Sequence, residues 1–275
     1  EWLGRLGLNT DAYLALDNPI AKDRPLLRRD LWTGLLETVE SNAHRFEQVR
    51  VFELGRSYCV EDAGERAEPR SDELLPRQPN LLGLAVAEKN NEQPFLLAAE
   101  AVRVVGQNLN RPLTLRPAVL GDQFHPGRSA EIVCGNMVVG WVAELHPRLQ
   151  TVLGIAPRTA LAEISLTALI EQPTQASRYT PVSDFPSVTR DIAFTVPRAI
   201  THAAIATAMQ SAHALVTGVT LFDVYQGDHV VAGEKSLAYQ ITYQADHTLT
   251  AAEIETAHGA VVKILEKEFN AKLRA

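Results

Sequence analysis

The sequence predicts an α+β protein of two domains whose sheets are mainly antiparallel. Short segments with the alternation or apolar run of strands recur along the chain, and only a few helical patterns interrupt them. The chain has 275 residues, which is more than one ordinary core requires. The polar, proline-bearing stretch 171–180 has no apolar period and is typical of a linker. We therefore expect one domain over residues 1–178 and a second over residues 179–275.

The first domain should begin with an amphipathic helix. Residues 26–46 place Leu27, Leu31, Leu35 and Val39 at helical spacing, so one apolar stripe must pack on another element.

A sheet of short strands should follow that helix. Residues 49–60 alternate in type and predict a strand, and the acidic, proline-bearing segment after them predicts a long mobile loop through residue 79. Gly135 and Asn136 tolerate positive φ and predict a tight hairpin. The remaining elements predicted are strands at 81–87, 113–119, 130–133, 138–144 and 161–164, and a helix near 98–107.

The second domain is predicted to be ferredoxin-like. Thr201 and Thr250 stand where helix N-caps belong, and Glu253 completes a capping box with Thr250. The order βαββαβ defines that fold. The elements in order are strand 191–196, helix 201–214, strands 219–225 and 236–244, helix 250–269 and a brief strand 272–274.

Composition restricts the classes of function. With 46% hydrophobic and 21% charged residues the chain is typical of a globular protein, and no window approaches 18 uninterrupted apolar residues, so no membrane partner is expected. A net charge of -7 argues against a general binder of DNA or other polyanions, so any RNA contact must be local. Cys59 and Cys134 stand apart without metal-ligand spacing, which favours a reducing, cytoplasmic location.

No strong catalytic pattern occurs. The sequence has neither a nucleotide-binding glycine loop nor Gly-Lys-Ser/Thr. His125 and His146 each precede a proline, which predicts a turn or a strand end. An independent enzyme would need Glu53, Arg56 and His125 to converge in one pocket, whereas a structural ion pair explains the first two equally well. We predict no catalytic and no metal-binding residue.

The segment 221–227 is a candidate binding strand. Its alternation places Phe222 and Val224 on one face, which should pack, and Asp223 and Tyr225 on the other. A ring and a carboxylate on an open sheet face can stack one unpaired RNA base and accept from its edge. Taken alone, ordinary packing of a half-buried tyrosine explains the pattern better.

Ten motifs in order along the chain favour RNA binding over ordinary packing as the role of segment 221–227. Together they resemble the C-terminal part of the β subunit of bacterial phenylalanyl-tRNA synthetase over nearly the whole chain. The motifs are Leu16-Asp-Asn-Pro-Ile20, Leu27-Arg28, Leu31-Trp-Thr-Gly-Leu35, Val51-Phe-Glu-Leu-Gly-Arg56, His125-Pro-Gly-Arg128, Glu144-Leu-His-Pro147, Phe185-Pro-Ser-Val188, Arg190-Asp-Ile-Ala193, Leu221-Phe-Asp-Val-Tyr225 and Lys235-Ser-Leu237.

The resemblance implies a class II synthetase-like core without catalytic motifs, which holds the catalytic α subunit of an α2β2 ligase, and an anticodon-binding second domain. It implies that Asp223, Tyr225 and Ser236 contact the first anticodon base of phenylalanine tRNA, and Arg190 completes the candidate RNA-binding set. The whole enzyme would need ATP and magnesium, with no cofactor in this chain. The alternative is a regulatory or small-ligand-binding two-domain protein, because fold does not fix function.

Overall fold

The computed structural model describes residues 1–67, 69–70, 74–176, 179, 181–227 and 230–274. By its internal contacts the chain divides into two compact units, Glu1–Arg178 (unit 1) and Tyr179–Ala275 (unit 2). The predicted linker falls at this division, and its positions 177, 178 and 180 lie outside the described residues.

The strands of unit 1 are β1 (Gln48–Arg56), β2 (Cys59–Arg66), β3 (Leu74–Arg77), β4 (Asn80–Glu88), β5 (Leu113–Pro117), β6 (Phe124–Cys134), β7 (Met137–Leu145) and β8 (Thr159–Ser165). Six of them form an antiparallel sheet in the order β1-β4-β8-β7-β6-β5. Its α-helices are α1 (Trp2–Arg5), α2 (Trp32–Asn42), α3 (Pro94–Asn108), α4 (Pro147–Leu153) and α5 (Leu166–Ile170), and a 3-10 turn spans Thr10–Ala12.

Both faces of the central strands of this sheet are covered, whereas Phe52 and Leu54 on the edge strand β1 are 70% and 62% exposed. On strand β8, Leu161 belongs to the apolar core shared with α2. Its neighbours Ala162 and Ile164 point to the opposite face and belong to the core shared with α3 and α5. Because successive strand residues alternate between faces, continuous burial along β8 reflects packing on both sides.

Helix α2 is shorter than the predicted helix over 26–46. It begins at Trp32, because two carboxylates satisfy the backbone N–H groups at its start. Asp30 accepts from the Thr33 N–H at 3.2 Å, and Glu163 accepts from the Leu31 N–H at 2.6 Å. Leu27 precedes the helix, and its N–H donates to the Leu14 carbonyl in an extended segment.

The loop predicted through residue 79 contains a second, two-stranded sheet instead. Strands β2 and β3 pair antiparallel, and β1 ends at Arg56 before the buried Ser57. The Ser57 N–H donates to the Pro79 carbonyl, which separates β1 from β2. Leu74 and Leu75 on β3 are exposed, so this strand lacks the buried alternate face by which strands are found in a sequence.

The hairpin prediction is confirmed. Cys134 pairs with Met137 across the turn, and Gly135 has a φ of +59°, which favours glycine. The short helices α4 and α5 were not predicted, since seven and five residues carry little periodicity. Pro147 at the first turn and left-handed Gly154 after the last residue define α4.

Unit 2 has the predicted ferredoxin-like order, and the α+β assignment of the chain is confirmed. Its elements are β9 (Val188–Pro197), α6 (His202–Ser211), β10 (Val216–Tyr225), β11 (Glu234–Tyr243), α7 (Ala251–Phe269) and β12 (Lys272–Leu273). The four strands form one antiparallel sheet in the order β10-β11-β9-β12. The capping box of Thr250 and Glu253 is present at the start of α7.

Candidate nucleic-acid interface

The sheet of unit 2 has two chemically different faces. On β11, Leu237, Tyr239, Ile241 and Tyr243 are buried in the core formed with α6 and α7. We call their side the helix face. The alternate residues of β11, with their partners on β9 and β10, form the open face, where Gln240 is exposed.

Three predicted site residues lie together on the open face. Tyr225 is directly opposite Ser236, and Asp223 is directly opposite Ala238, so Asp223 and Tyr225 lie on the same face as Ser236. Tyr225 is 38% exposed and Asp223 is exposed. The arrangement therefore offers a ring face and a carboxylate to a ligand at one end of the sheet.

A β-bulge shapes the strand that carries two of these residues. The register of β10 against β11 shifts between Leu221 and Asp223, which leaves Phe222 as the extra residue. The prediction that Phe222 and Val224 pack was wrong, since they are 57% and 48% exposed. The reason is that β10 is an edge strand, and neither residue belongs to the buried core of unit 2.

Ser236 is held by the C-terminal end of the chain. It is only 5% exposed, and its Oγ accepts a hydrogen bond from Arg274 Nη1 at 3.0 Å. Lys272 on β12 pairs with Glu234 at 2.8 Å. Sequence reasoning did not select Arg274 or Lys272, although the alternation of the brief predicted strand would place both on the face of Ser236.

The position of the Tyr225 ring depends on a glycine. A Cβ atom added at Gly227 would collide with the Tyr225 hydroxyl and ring. The ring therefore lies directly over Gly227, and any larger residue there must displace it.

Arg190 does not join this group. It is opposite Ile241 on the helix face, and its guanidinium lies 3.7 Å from the Glu255 carboxylate of α7. Along the strands it is roughly 10 Å from the level of Asp223, at about 3.4 Å for each residue.

The residues of the independent-enzyme hypothesis do not converge. Glu53 on β1 pairs with Arg28, whereas His125 lies on β6. Three strands separate β1 from β6, which corresponds to roughly 19 Å across the sheet. His125 Nδ1 accepts from the Gly127 N–H near the start of β6, and His146 Nδ1 accepts from the Arg148 N–H just after β7. The prediction of a turn or a strand end at each histidine is therefore confirmed.

Among the residues that the structure describes, no group of three or more His, Cys, Asp or Glu side chains is placed to hold a metal ion. Nor does any helix there have the length and apolar character needed to cross a membrane.

Comparison with known proteins gives two family matches. Residues 2–166 match the family model described as phenylalanyl tRNA synthetase beta chain CLM domain. Residues 183–274 match the family model described as ferredoxin-fold anticodon binding domain.

Individual relatives agree with these models. The chain is 35% identical to the phenylalanine–tRNA ligase beta subunit of Geobacillus kaustophilus, with 98% of this chain and 34% of the relative covered. It is 33% identical to that of Bifidobacterium longum, with 94% and 33% covered. The chain thus spans about a third of the length of these relatives. A solved pyrrolysyl-tRNA synthetase from Desulfitobacterium hafniense aligns over 62% of this chain and 57% of its own, at 16% identity and a TM-score of 0.46.

Proposed function

The chain belongs to the phenylalanyl-tRNA synthetase β-chain family, and on that basis we propose that it is a non-catalytic portion of the β subunit of a phenylalanine–tRNA ligase. Unit 2 contacts the anticodon of phenylalanine tRNA. Unit 1 is a scaffold for the catalytic α subunit in an α2β2 assembly. The chemistry of the whole enzyme, with its ATP and magnesium, takes place on the α subunit in the cytoplasm.

The open face of unit 2 is the observation that carries the anticodon proposal. Asp223, Tyr225 and Ser236 lie together there, within the segment that matches an anticodon-binding family model. The centre of the helix face is occupied by the unit's own core, so the open face is the side on which an RNA base can lie against the sheet.

Each of these residues can perform one step of base recognition. The Tyr225 ring, positioned over Gly227, offers a surface for stacking the first anticodon base. A guanine edge presents N–H donors, and the exposed Asp223 carboxylate can accept hydrogen bonds from them. Arg274 fixes the Ser236 hydroxyl by donating to its oxygen, which leaves the hydroxyl hydrogen free to donate to the base.

Arg190 has a different role in this proposal. Its side chain is 52% exposed, and its guanidinium is already near Glu255. It can therefore meet only a backbone phosphate of RNA that reaches around the sheet. Because phosphate contacts carry no sequence information, Arg190→Ala should weaken correct and altered loops equally.

The scaffold role of unit 1 is supported by how its polar residues are used. Glu53 is engaged by Arg28, and the Arg56 carbonyl accepts from Arg28 Nε at 2.7 Å. These groups therefore support the segment that leads into α2. The family relationship favours this interpretation over a regulatory or small-ligand-binding protein.

Fluorescence anisotropy of a labelled anticodon stem-loop, titrated with the 275-residue chain at low salt, tests the proposal. Tyr225→Ala should remove about 1–3 kcal/mol of stacking, or roughly five- to 150-fold in affinity. The matched control is Tyr179→Ala, another exposed tyrosine of unit 2 outside its sheet. Equal affinities for the two variants would overturn the assignment of the open face.

A further inference from the structure

Two motifs of unit 1 that the proposed function does not use meet in the structure. Residues 125–128 on β6 and residues 144–147 at the end of β7 lie side by side. Phe124 pairs with Leu145, and Ser129 pairs with Ala143. The four residues 125–128 therefore bulge opposite the single residue Glu144, and this brings the Arg128 side chain to the Glu144 carboxylate.

Glu144 is shared by two arginines. It is 1% exposed, and Arg158 donates to both of its oxygens at 2.7 Å through Nε and Nη2. Arg128 Nε also lies 2.9 Å from Glu144 Oε2. One bidentate arginine is enough to neutralise a buried carboxylate, so the second guanidinium adds positive charge that Glu144 does not require.

Arg128 has unused hydrogen-bonding capacity. Its Nε lies 2.9 Å from Glu144 Oε2 but is buried and makes no hydrogen bond of acceptable geometry. A guanidinium carries five N–H donors, and because the Arg128 side chain is 37% exposed and lines a cavity, its terminal N–H groups can bind an acceptor there.

A cavity of about 600 Å³ opens beside this pair of arginines. Both side chains are about one-third exposed, at 37% and 35%, whereas Glu144 is 1% exposed. Two guanidinium groups and one carboxylate line the cavity, so the net charge of these three groups is positive. Burial, and then the charge of Arg128, lowers the pKa of nearby His125. The pKa of Arg158 is raised chiefly by its hydrogen bonds to Glu144 and in small part by the charge of Glu92, which does not line the cavity. The lining residues are Arg128, Glu144, Pro147, Gln150, Thr151, Gly154, Ile155, Ala156 and Arg158.

We propose that this cavity is a binding site for a phosphate group, held by Arg128 and Arg158. Phosphate suits the site because its several oxygens can accept from two guanidinium groups at once. The group is either a free phosphate or the phosphate of an RNA strand. The site lies in unit 1, so it does not depend on the proposed anticodon contact of unit 2.

Isothermal titration calorimetry of the 275-residue chain with inorganic phosphate, at low salt, tests the proposal. Arg128→Gln removes a cation and leaves the Glu144–Arg158 pair to hold the fold. Thr151→Glu keeps both arginines but places a competing carboxylate in the lining. The matched control is Arg116→Gln, because Arg116 pairs with Glu131 at 2.7 Å on the same sheet but does not line the cavity.

We expect saturable binding by the unchanged chain and by Arg116→Gln. Arg128→Gln should weaken it by about tenfold or more, which is the usual effect of losing a charged hydrogen bond. Thr151→Glu should weaken it as well, because its carboxylate repels phosphate and competes for the two arginines. A parallel titration with a short oligoribonucleotide separates the sources, since saturation by RNA alone, with the same dependence on the variants, identifies an RNA phosphate. Absence of saturable binding by either ligand, or equal binding by all variants, would overturn the proposal.

Discussion

The two sheets of this protein differ in how many of their faces are buried. The six-stranded sheet of unit 1 packs against α2 on one side and against α3 and α5 on the other. The four-stranded sheet of unit 2 packs on its helix face, and its open face carries exposed polar side chains. Residues of the central strands of unit 1 therefore contribute to a core on each face, whereas alternate residues of the unit 2 sheet are available to a ligand.

The largest expected effect follows from the two buried faces of β8. Leu161→Ala and Ile164→Ala, one on each face, should each lower the free energy of unfolding by about 2–5 kcal/mol through lost contacts and a residual cavity. Urea denaturation followed by tryptophan fluorescence measures unit 1, because all 3 tryptophans (Trp2, Trp32 and Trp141) lie there. If one variant had no effect, that face of the sheet would not be packed as described.

A buried carboxylate gives unit 1 a pH dependence. Burial, more than any neighbouring charge, raises the pKa of Glu163 from 4.5 to about 7, although the Leu31 and Trp32 N–H groups oppose this. The folded state therefore retains this proton at a pH where the unfolded state has lost it. The contribution of Glu163 to the free energy of unfolding is fully present below the unfolded pKa. It is lost between about pH 4.5 and pH 7, and the loss is about 3 kcal/mol at most.

Glu163→Gln should flatten this pH dependence, because the amide oxygen can still accept from both N–H groups without being charged. The measurement is urea denaturation at pH 5 and at pH 8, with tryptophan fluorescence as the signal. The variant should gain stability relative to the natural sequence at pH 8. An identical pH profile for both proteins would mean that Glu163 titrates normally.

The start of α7 should contribute less. Thr250 accepts from the Glu253 N–H and caps the helix that covers one face of the unit 2 sheet. Thr250→Ala should lower the stability of unit 2 by about 1 kcal/mol. Hydrogen exchange of the β11 amides reports on this unit, and it should accelerate by roughly fivefold, while β8 is unaffected.

The smallest effect is expected on the open face itself. Gln240→Ala removes one exposed 3.3 Å hydrogen bond to Asp191, so the stability of unit 2 should stay within about 0.5 kcal/mol. The neighbouring Ile241→Ala should cost about 2–5 kcal/mol, because Ile241 is fully buried on the helix face. If the same exchange experiment gave similar losses of stability for Gln240→Ala and Ile241→Ala, the open face would have to be packed.

Local signals in the sequence predicted much of this architecture. The capping box at Thr250 and the hairpin at Gly135 depend on residues a few positions apart, and both are present. The period of two along β10 also placed Asp223 and Tyr225 on one face.

Features that depend on distant residues were not predictable in the same way. The start of α2 is fixed by Glu163, 132 positions away from Leu31. The bulge at Phe222 and the contact from Arg274 to Ser236 likewise depend on neighbouring strands. A period in the sequence gives the face on which a side chain lies, but not which other strand supplies its partner.

Base discrimination tests the central claim that the open face of unit 2 recognises the first anticodon base. The affinity ratio between the phenylalanine anticodon stem-loop and a loop with that base changed is measured for the natural chain and for Asp223→Asn. We predict a clear preference for the correct loop, about 1–3 kcal/mol, which Asp223→Asn largely abolishes because the amide has no charge and replaces one of the two acceptor oxygens by an NH2 donor. The same ratio for both proteins would contradict the account.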